Sequence, residues 1–211
     1  MKKNRSKRNV SYALKLDMKK AYDRLEWDYL EAIMKKLGLS PSFVDTVMRG
    51  VRSVTFSVLF NGGRTGEFKP SRGIRQGDPI SPYLFLLAAE GLSCLLKHAM
   101  TSGELEGIQI AGSAPTINHL LFADDCILFS KASSAAALNM KEVLTKYCLA
   151  SGQRINNDKS SIYFAKKCPA ILKENIKVIL EVQNESLNAK YLGLPSDVGR
   201  SKKRSLWLSK R

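Results

Sequence analysis

Three aspartates stand in settings where carboxylates can do chemistry. Asp17 closes a short, weakly alternating stretch, Tyr12–Asp17 (YALKLD), that reads as a strand ending on an acid. Asp124 and Asp125 follow 107 positions later, inside His119–Ser130 (HLLFADDCILFS). There Ala-Asp-Asp separates two apolar runs, the pattern of a hairpin with its acids at the bend. If the first strand lies beside that hairpin in one sheet, all three carboxylates converge at one edge. Like charges so placed raise one another's pKa unless a cation sits among them. Carboxylate oxygens are hard ligands suited to Mg²⁺, which takes one or two of them together with substrate phosphates. Two such ions about 3.5–4 Å apart can activate a 3′-hydroxyl and stabilise the leaving oxygen of an in-line phosphoryl displacement. A plainer role fits each acid alone. Asp-Asp is common in turns, where Asp accepts local backbone bonds, and Asp17 could cap the segment after it.

The elements that must position these acids can be read from spacing. Trp27–Leu37 carries apolar residues at helical intervals and stops at Gly38. Ser40-Pro41 opens a second helix, with Ser as N-cap and Pro in the first helical position. Thr55–Phe60 is rich in strand formers, and Asn61-Gly62-Gly63 turns it back toward Gly66–Lys69 as a hairpin. A polar loop from Pro70 to Pro79 leads to Ser81-Pro82, the expected cap of an apolar helix over 82–100. Beyond the acidic hairpin the spacing predicts a helix over Ala135–Ala150 closed by Gly152, then a strand over Ser161–Ala165. A helix over Pro169–Glu181 and a short strand over Tyr191–Leu194 complete the order. Strands and helices in irregular alternation, with hairpins and no repeat, predict an α+β fold: an antiparallel sheet packed on helices.

Composition narrows the class of partner. The chain has 211 residues, 44% of them hydrophobic, and a formal net charge of +15. That hydrophobic content suits a globular core and is too high for a disordered chain. Residues 1–9 hold five cations and residues 200–211 hold six, with no acid in either segment. Clustered Lys and Arg suit phosphate contact, because they release counterions from a polyanion; a pair of solvated tails carries the same charge. Four cysteines lie 20 or more positions apart without a CxxC pair. This spacing excludes a zinc ribbon and points to a reducing, intracellular setting. The apolar stretch Tyr83–Met100 is interrupted by Glu90, Ser93 and Lys97, short of the ~20 apolar residues of a membrane span. No membrane partner is expected.

At the level of motifs the sequence becomes recognisable. Leu16-Asp17-Met18-Lys19-Lys20-Ala21-Tyr22-Asp23 resembles the first palm motif of reverse transcriptases. Arg72-Gly73-Ile74-Arg75-Gln76-Gly77-Asp78-Pro79-Ile80-Ser81-Pro82 is similar to their second, and Phe122-Ala123-Asp124-Asp125 to their third. Ser151-Gly152-Gln153 through Lys159-Ser160 resembles the motif that follows, and Lys190-Tyr191-Leu192-Gly193-Leu194-Pro195 the primer-grip region. Any one of these is a weak signal, but five in the family's order are a strong one. The wording is nearest to the non-LTR (LINE-type) retrotransposons of plants, and it runs from about residue 10 to the C-terminus.

The resemblance implies an RNA-directed DNA polymerase that extends a DNA primer with dNTPs on an RNA template. It implies two Mg²⁺ ions, or Mn²⁺ in their place, held by Asp17, Asp124, Asp125 and the carbonyl of Met18. Tyr22 matches the steric gate, an aromatic ring where a ribose 2′-hydroxyl would sit; the residue alone reads equally as a core aromatic beside Trp27. Gln76 and Gly77 match the loop lining the incoming nucleotide and template. Glycine permits close backbone approach there and Gln offers a donor and an acceptor, although a surface turn has the same composition. Arg75 could meet phosphate or simply face water. Lys159 matches a lysine that protonates the leaving pyrophosphate, or it is a solvated surface lysine. Tyr191, Leu192 and Gly193 would help to place the primer terminus.

Departures from the family pattern set further expectations. Fingers precede the first palm motif in the family and a thumb follows the primer grip, whereas sixteen residues precede Asp17 here. The expected organisation is therefore a palm domain over 10–199 between basic segments 1–9 and 200–211, with fingers and thumb largely missing and little activity alone. A catalytically silent, nucleic-acid-binding remnant of a retrotransposon is the competing reading. RNA-directed RNA polymerases are disfavoured by Tyr22, since they need room for the 2′-hydroxyl, and group II intron maturases share the palm. Nuclear residence follows only from what a retrotransposon must reach.

Overall fold

A computed structural model describes residues 10–109, 111, 113–185, 190, 191, 194 and 195. The chain order begins with β1 (Ser11–Leu16), α1 (Ala21–Arg24), α2 (Trp27–Lys36) and α3 (Pro41–Arg52). The short strands β2 (Leu59–Phe60) and β3 (Gly63–Arg64) precede α4 (Ser81–Thr101), β4 (His119–Phe122) and β5 (Asp125–Lys131). After α5 (Ser134–Ser151) come β6 (Ser161–Phe164), α6 (Ala170–Leu180), β7 (Lys190–Tyr191) and β8 (Leu194–Pro195). Two compact units result: the described parts of Met1–Asp17, Leu96–Glu142 and Ile155–Arg211, and a second of Met18–Leu95 with Val143–Arg154.

The first unit is built on a four-stranded antiparallel sheet in the order β4-β5-β1-β6. Strict alternation sets its two faces. Tyr12, Leu14 and Leu16 of β1 are buried opposite Ser130, Leu128 and Cys126 of β5. Ile162 of β6, fully buried, lies opposite Leu14 from the other side. Lys15, Ile127 and Asp125 take the intervening, half-open positions. Met140 of α5 and Ile176 of α6 are fully buried apolar residues of the same unit. Each such side chain removed from water contributes about 1.5–3 kcal/mol.

The second unit is helical. Leu30 and Met34 of α2, Val44, Val47 and Met48 of α3, and Leu84, Phe85 and Ala88 of α4 share one core with Ala21, Leu25 and Ile74. Gly38, with φ +83°, ends α2, and the Ser40 hydroxyl accepts the Phe43 N–H at 3.4 Å to open α3 behind Pro41. The β2–β3 hairpin turns on Asn61 and Gly62 alone, both at positive φ, as a two-residue hairpin turn demands. Gly63, expected in the turn, is already paired with Phe60. The strands are Leu59–Phe60 and Gly63–Arg64 instead of Thr55–Phe60 and Gly66–Lys69, with an isolated bridge between Phe56 and Phe68 beyond them. By length and composition α4 is long and apolar enough to cross a membrane. In this fold Leu84, Phe85, Ala88, Leu92, Leu96 and Ala99 are buried in protein, while Tyr83 and Leu86 are exposed.

Three other local expectations change. Ser81 is the first residue of α4 and is buried, instead of capping it. Asp78 takes the capping role: its carboxylate accepts the Ile80 N–H at 3.1 Å and its carbonyl the Ser81 N–H at 3.1 Å. A charged acceptor three residues upstream serves the helix start better than a hydroxyl inside it. Asp125 is not in the bend but is the first residue of β5, paired with Phe122. The bend is Ala123-Asp124, with Ala123 at φ +51°. The single strand expected over Tyr191–Leu194 is two paired two-residue strands, β7 and β8.

Candidate active site

The carboxylates are placed by the ladder of the sheet unit. Leu16 pairs with Cys126 and Phe122 with Asp125. Asp17 is one residue beyond Leu16, so it comes to the register of Asp125, with Asp124 next to it in the turn. The three acids stand at one end of two neighbouring strands, as the sequence pattern requires. Asp17 and Asp125 are half-buried and Asp124 is exposed. The backbone of Asp17 is fixed from residues far along the chain. Its N–H donates to Ser160 Oγ at 3.1 Å and its carbonyl accepts the Asn156 N–H at 2.8 Å. The fully buried Ser160 hydroxyl in turn donates to the Asn156 carbonyl at 2.8 Å.

The charges at this edge are partly matched within the sheet. Lys15, two residues before Asp17, brings Nζ to 3.8 Å from Asp125 Oδ1. Among the described residues no group of three His, Cys, Asp or Glu side chains is gathered as a ready metal site. The chemistry of the donors nevertheless fits a hard divalent cation, since they are carboxylate oxygens at one sheet end with access to water. Cys126, next along β5, is buried on the opposite face of the sheet from Asp125. Burial, helped by the charge of Asp125, pushes its thiol up to about 12, so it stays protonated at neutral pH.

The residues expected at the nucleotide lie on irregular backbone of the helical unit. Tyr22 belongs to α1, a helix of one turn, and its ring stacks on Phe85 with centroids 5.1 Å apart and planes 8° from parallel. It packs half-buried against the same core as Trp27. Such a helix leaves nearly all of its backbone groups without internal partners. The Tyr22 carbonyl accepts the Ile74 N–H at 2.9 Å, and the Leu25 carbonyl accepts the Gly73 N–H at 2.8 Å. The Trp27 indole N–H donates to the Gly73 carbonyl at 2.7 Å. Gly73, at φ +89°, is compressed here: a Cβ would come within 2.8 Å of the Asp23 carbonyl oxygen.

From that anchored base the loop reaches outward. Arg75, Gln76 and Gly77 are exposed, Gly77 with φ +87° and open space around it. Arg75 also edges a cleft of about 550 Å³ walled by Trp27, Phe43, Phe56 and Phe68. The segment Ser151–Arg154 meets the same turn. Its carbonyls accept the Lys19 N–H (from Arg154, 2.8 Å), Arg24 Nε (from Gly152, 3.2 Å) and the Glu26 N–H (from Ser151, 2.9 Å). Gln153 Nε2 donates to the Ala21 carbonyl at 2.8 Å. Gln153 is buried, and its Oε1 finds no partner among the described atoms, a state that costs about 1–3 kcal/mol.

Sequence-expected residues thus divide by unit. Asp17, Asp124 and Asp125 are brought to one sheet end, and Lys159 is an exposed turn residue whose N–H donates to the Asn156 carbonyl at 3.1 Å. Met18, Tyr22, Arg75, Gln76 and Gly77 belong to the helical unit. Tyr191 lies in β7, while Leu192 and Gly193 lie outside the described residues. Sequence reasoning missed Ser160, Lys15 and Gln153. Ser160 and Gln153 stand in a motif it had already quoted, and Lys15 is a cation at an alternating position beside an acid edge.

Comparison with known proteins follows the same lines. The family model described as reverse transcriptase (RNA-dependent DNA polymerase) matches residues 1–196. An uncharacterized mitochondrial protein of Arabidopsis thaliana is 43% identical over 116 residues, covering 54% of this chain and 94% of that protein. The retrovirus-related Pol polyprotein from a type-2 retrotransposable element of Drosophila melanogaster is 31% identical over 148 residues. That match covers 70% of this chain and only 13% of the polyprotein. Telomerase from Candida tropicalis, solved with a fragment of telomeric RNA, superposes with a TM-score of 0.61 at 17% identity, over 96% of this chain and 31% of that one. At that identity the likeness is one of fold.

Proposed function

This chain belongs to the reverse transcriptase (RNA-dependent DNA polymerase) family, as a domain of the LINE-type, non-LTR retroelements, and from that premise we propose that it extends a DNA 3′ end with dNTPs on an RNA template. The observation that supports this reading is the ladder register: Leu16 opposite Cys126 sets Asp17 level with Asp125, beside Asp124. Asp17, Asp124, Asp125 and the carbonyl of Met18 would hold Mg²⁺, two ions in all, with Mn²⁺ as an alternative. When bound, such ions supply Lewis-acid stabilisation of the attacking and leaving oxygens.

The protein's own residues do the rest. Ser160 and Asn156 hold the Asp17 backbone so that its carboxylate is presented from a fixed position. Tyr22, braced on Phe85, presents an aromatic edge against the sugar of the incoming nucleotide and excludes a 2′-hydroxyl. Gln76 and Gly77 offer side-chain and backbone groups to the nascent base pair, and Arg75 a guanidinium to phosphate. Lys159 is the proton donor to departing pyrophosphate, and Tyr191, Leu192 and Gly193 contact the primer terminus. The surplus of cations at both ends of the sequence favours the nucleic-acid backbone. Residence in the nucleus is part of the same proposal. Primer extension on an RNA template tests it: incorporation of dNTPs that needs a divalent cation and is lost in Asp17→Asn supports the reading. Binding of template and primer without incorporation supports a silent nucleic-acid-binding remnant instead.

A further inference from the structure

We propose that Gln153 is a specificity-determining positioning residue, which sets the backbone of Tyr22 and thereby the discrimination between deoxyribo- and ribonucleotides. The inference rests on the reading of Tyr22 as the sugar gate. A side chain's direction is fixed by the two peptide planes that meet at its Cα. Both planes flanking Tyr22 are held from outside α1. The plane before it carries the Ala21 carbonyl, which accepts Gln153 Nε2 at 2.8 Å; the plane after it carries the Tyr22 carbonyl, which accepts the Ile74 N–H at 2.9 Å. The second of these holds is backbone and independent of side-chain identity. The first depends on one side chain, 132 positions away.

The chemistry of Gln153 argues against a purely structural role. A carbonyl can only accept, so the amide must turn its NH₂ toward Ala21, and this leaves Oε1 buried without a partner. An apolar side chain of similar length would spare Oε1 but strand the Ala21 carbonyl, exchanging one unmet acceptor for another. The count of unmet acceptors therefore does not favour Gln over such a side chain, and what Gln alone supplies is a hold on the Ala21–Tyr22 peptide. The neighbouring residues of the segment hold the same turn. Gly152 lies so close to α1 that a Cβ would come within 2.5 Å of the Arg24 carbonyl oxygen. Ser151 and Arg154 hold the two ends of the turn at Glu26 and Lys19.

Gln153→Met is the test, read in two ways on the full chain. Hydrogen exchange should accelerate at the amides of residues 20–26 while those of β1 and β5 stay protected, with only a modest fall in the thermal midpoint. In single-nucleotide extension, the ratio of kcat/KM for dNTP over rNTP should fall about tenfold, with kcat for dNTP largely kept, because a misplaced gate admits the wrong sugar and does not remove the reacting groups. Tyr22→Ala should lose discrimination further, and adding Gln153→Met to it should change nothing more. Unchanged exchange over 20–26 overturns the proposal, as does a full additional loss in the double variant. If Tyr22→Ala itself leaves discrimination intact, or the unaltered chain extends no primer, it is the gate or polymerase reading that fails. The exchange result then still decides whether Gln153 positions Tyr22.

Discussion

The acid edge and the gate segment solve the same problem, holding a side chain still, by opposite means. Asp17 and Asp125 sit at the end of a regular ladder in which each residue is fixed by its neighbours on adjacent strands. Tyr22 sits on a single helical turn that could not exist alone and is gripped by Gly73-Ile74 and by Ser151–Arg154. A ladder shares its load over many bonds, so single substitutions shift it little. A gripped turn concentrates its load on a few atoms, so single substitutions there should be felt strongly.

Substitutions that strike the grip should have the largest effect. Gly152→Ala puts a Cβ at 2.5 Å from the Arg24 carbonyl oxygen on a backbone with φ +74°. It should destabilise the protein by about 3 kcal/mol or more, read as a lower midpoint in urea unfolding. Gly77→Ala meets positive φ but open space, so it should cost only about 1 kcal/mol. Equal losses at the two glycines would contradict the contrast between a gripped and a free segment.

On the ladder side, Ser160→Ala removes the hydroxyl that takes the Asp17 N–H and bonds Asn156. A loss of about 1–3 kcal/mol is expected in the same assay, together with a lower kcat, since the Asp17 backbone is freed. Ala123→Gly should go the other way. It relieves a non-glycine residue at φ +51° in the acidic turn and should stabilise by about 1 kcal/mol. A neutral or destabilising result would mean that this turn is not strained.

The smallest effect should be one of pH. Lys173, with Lys177 in support, holds the Glu185 carboxyl below its ordinary range, and Glu174 and Glu185 hold the Lys177 ammonium above its own. A depressed carboxyl contributes stability above its unfolded pKa that is lost as pH falls through the folded value. A raised ammonium contributes stability below its unfolded pKa that is lost as pH rises through the folded value. Lys177→Met should therefore flatten the thermal midpoint at both the acid and the alkaline ends. The change should be slight, because Glu174 and Glu185 are solvent-exposed.

The same contrast decides what could be read in the sequence. Alternation in Tyr12–Asp17 and in the runs flanking Asp124 encodes the faces of β1, β4 and β5, so the acid edge was legible once those strands were paired. The caps at Gly38 and Ser40 and the Asn61-Gly62 turn were legible because their causes are local. Asp125 was displaced by one position, from bend to strand, because an Ala at positive φ is not a signal that a sequence advertises. Gln153 and Ser160 were not legible at all. Their partners are 132 and 143 positions away, and a glutamine or serine in a polar motif looks the same whether it is buried or solvated. The capping role of Asp78 was missed for a different reason. Ser-Pro is the commoner helix-start pattern, and it drew attention from the stronger acceptor three residues earlier.

The most direct test of the central claim is single-nucleotide primer extension on an RNA template with Mg²⁺, comparing the unaltered chain with Asp124→Ala. The account predicts dNTP incorporation by the unaltered chain and its loss, by about a thousandfold or more, in the variant, which should still bind template and primer. Equal incorporation by both would contradict the assignment of the acid edge as the seat of the chemistry. No incorporation by either would contradict the proposal that this chain polymerises DNA.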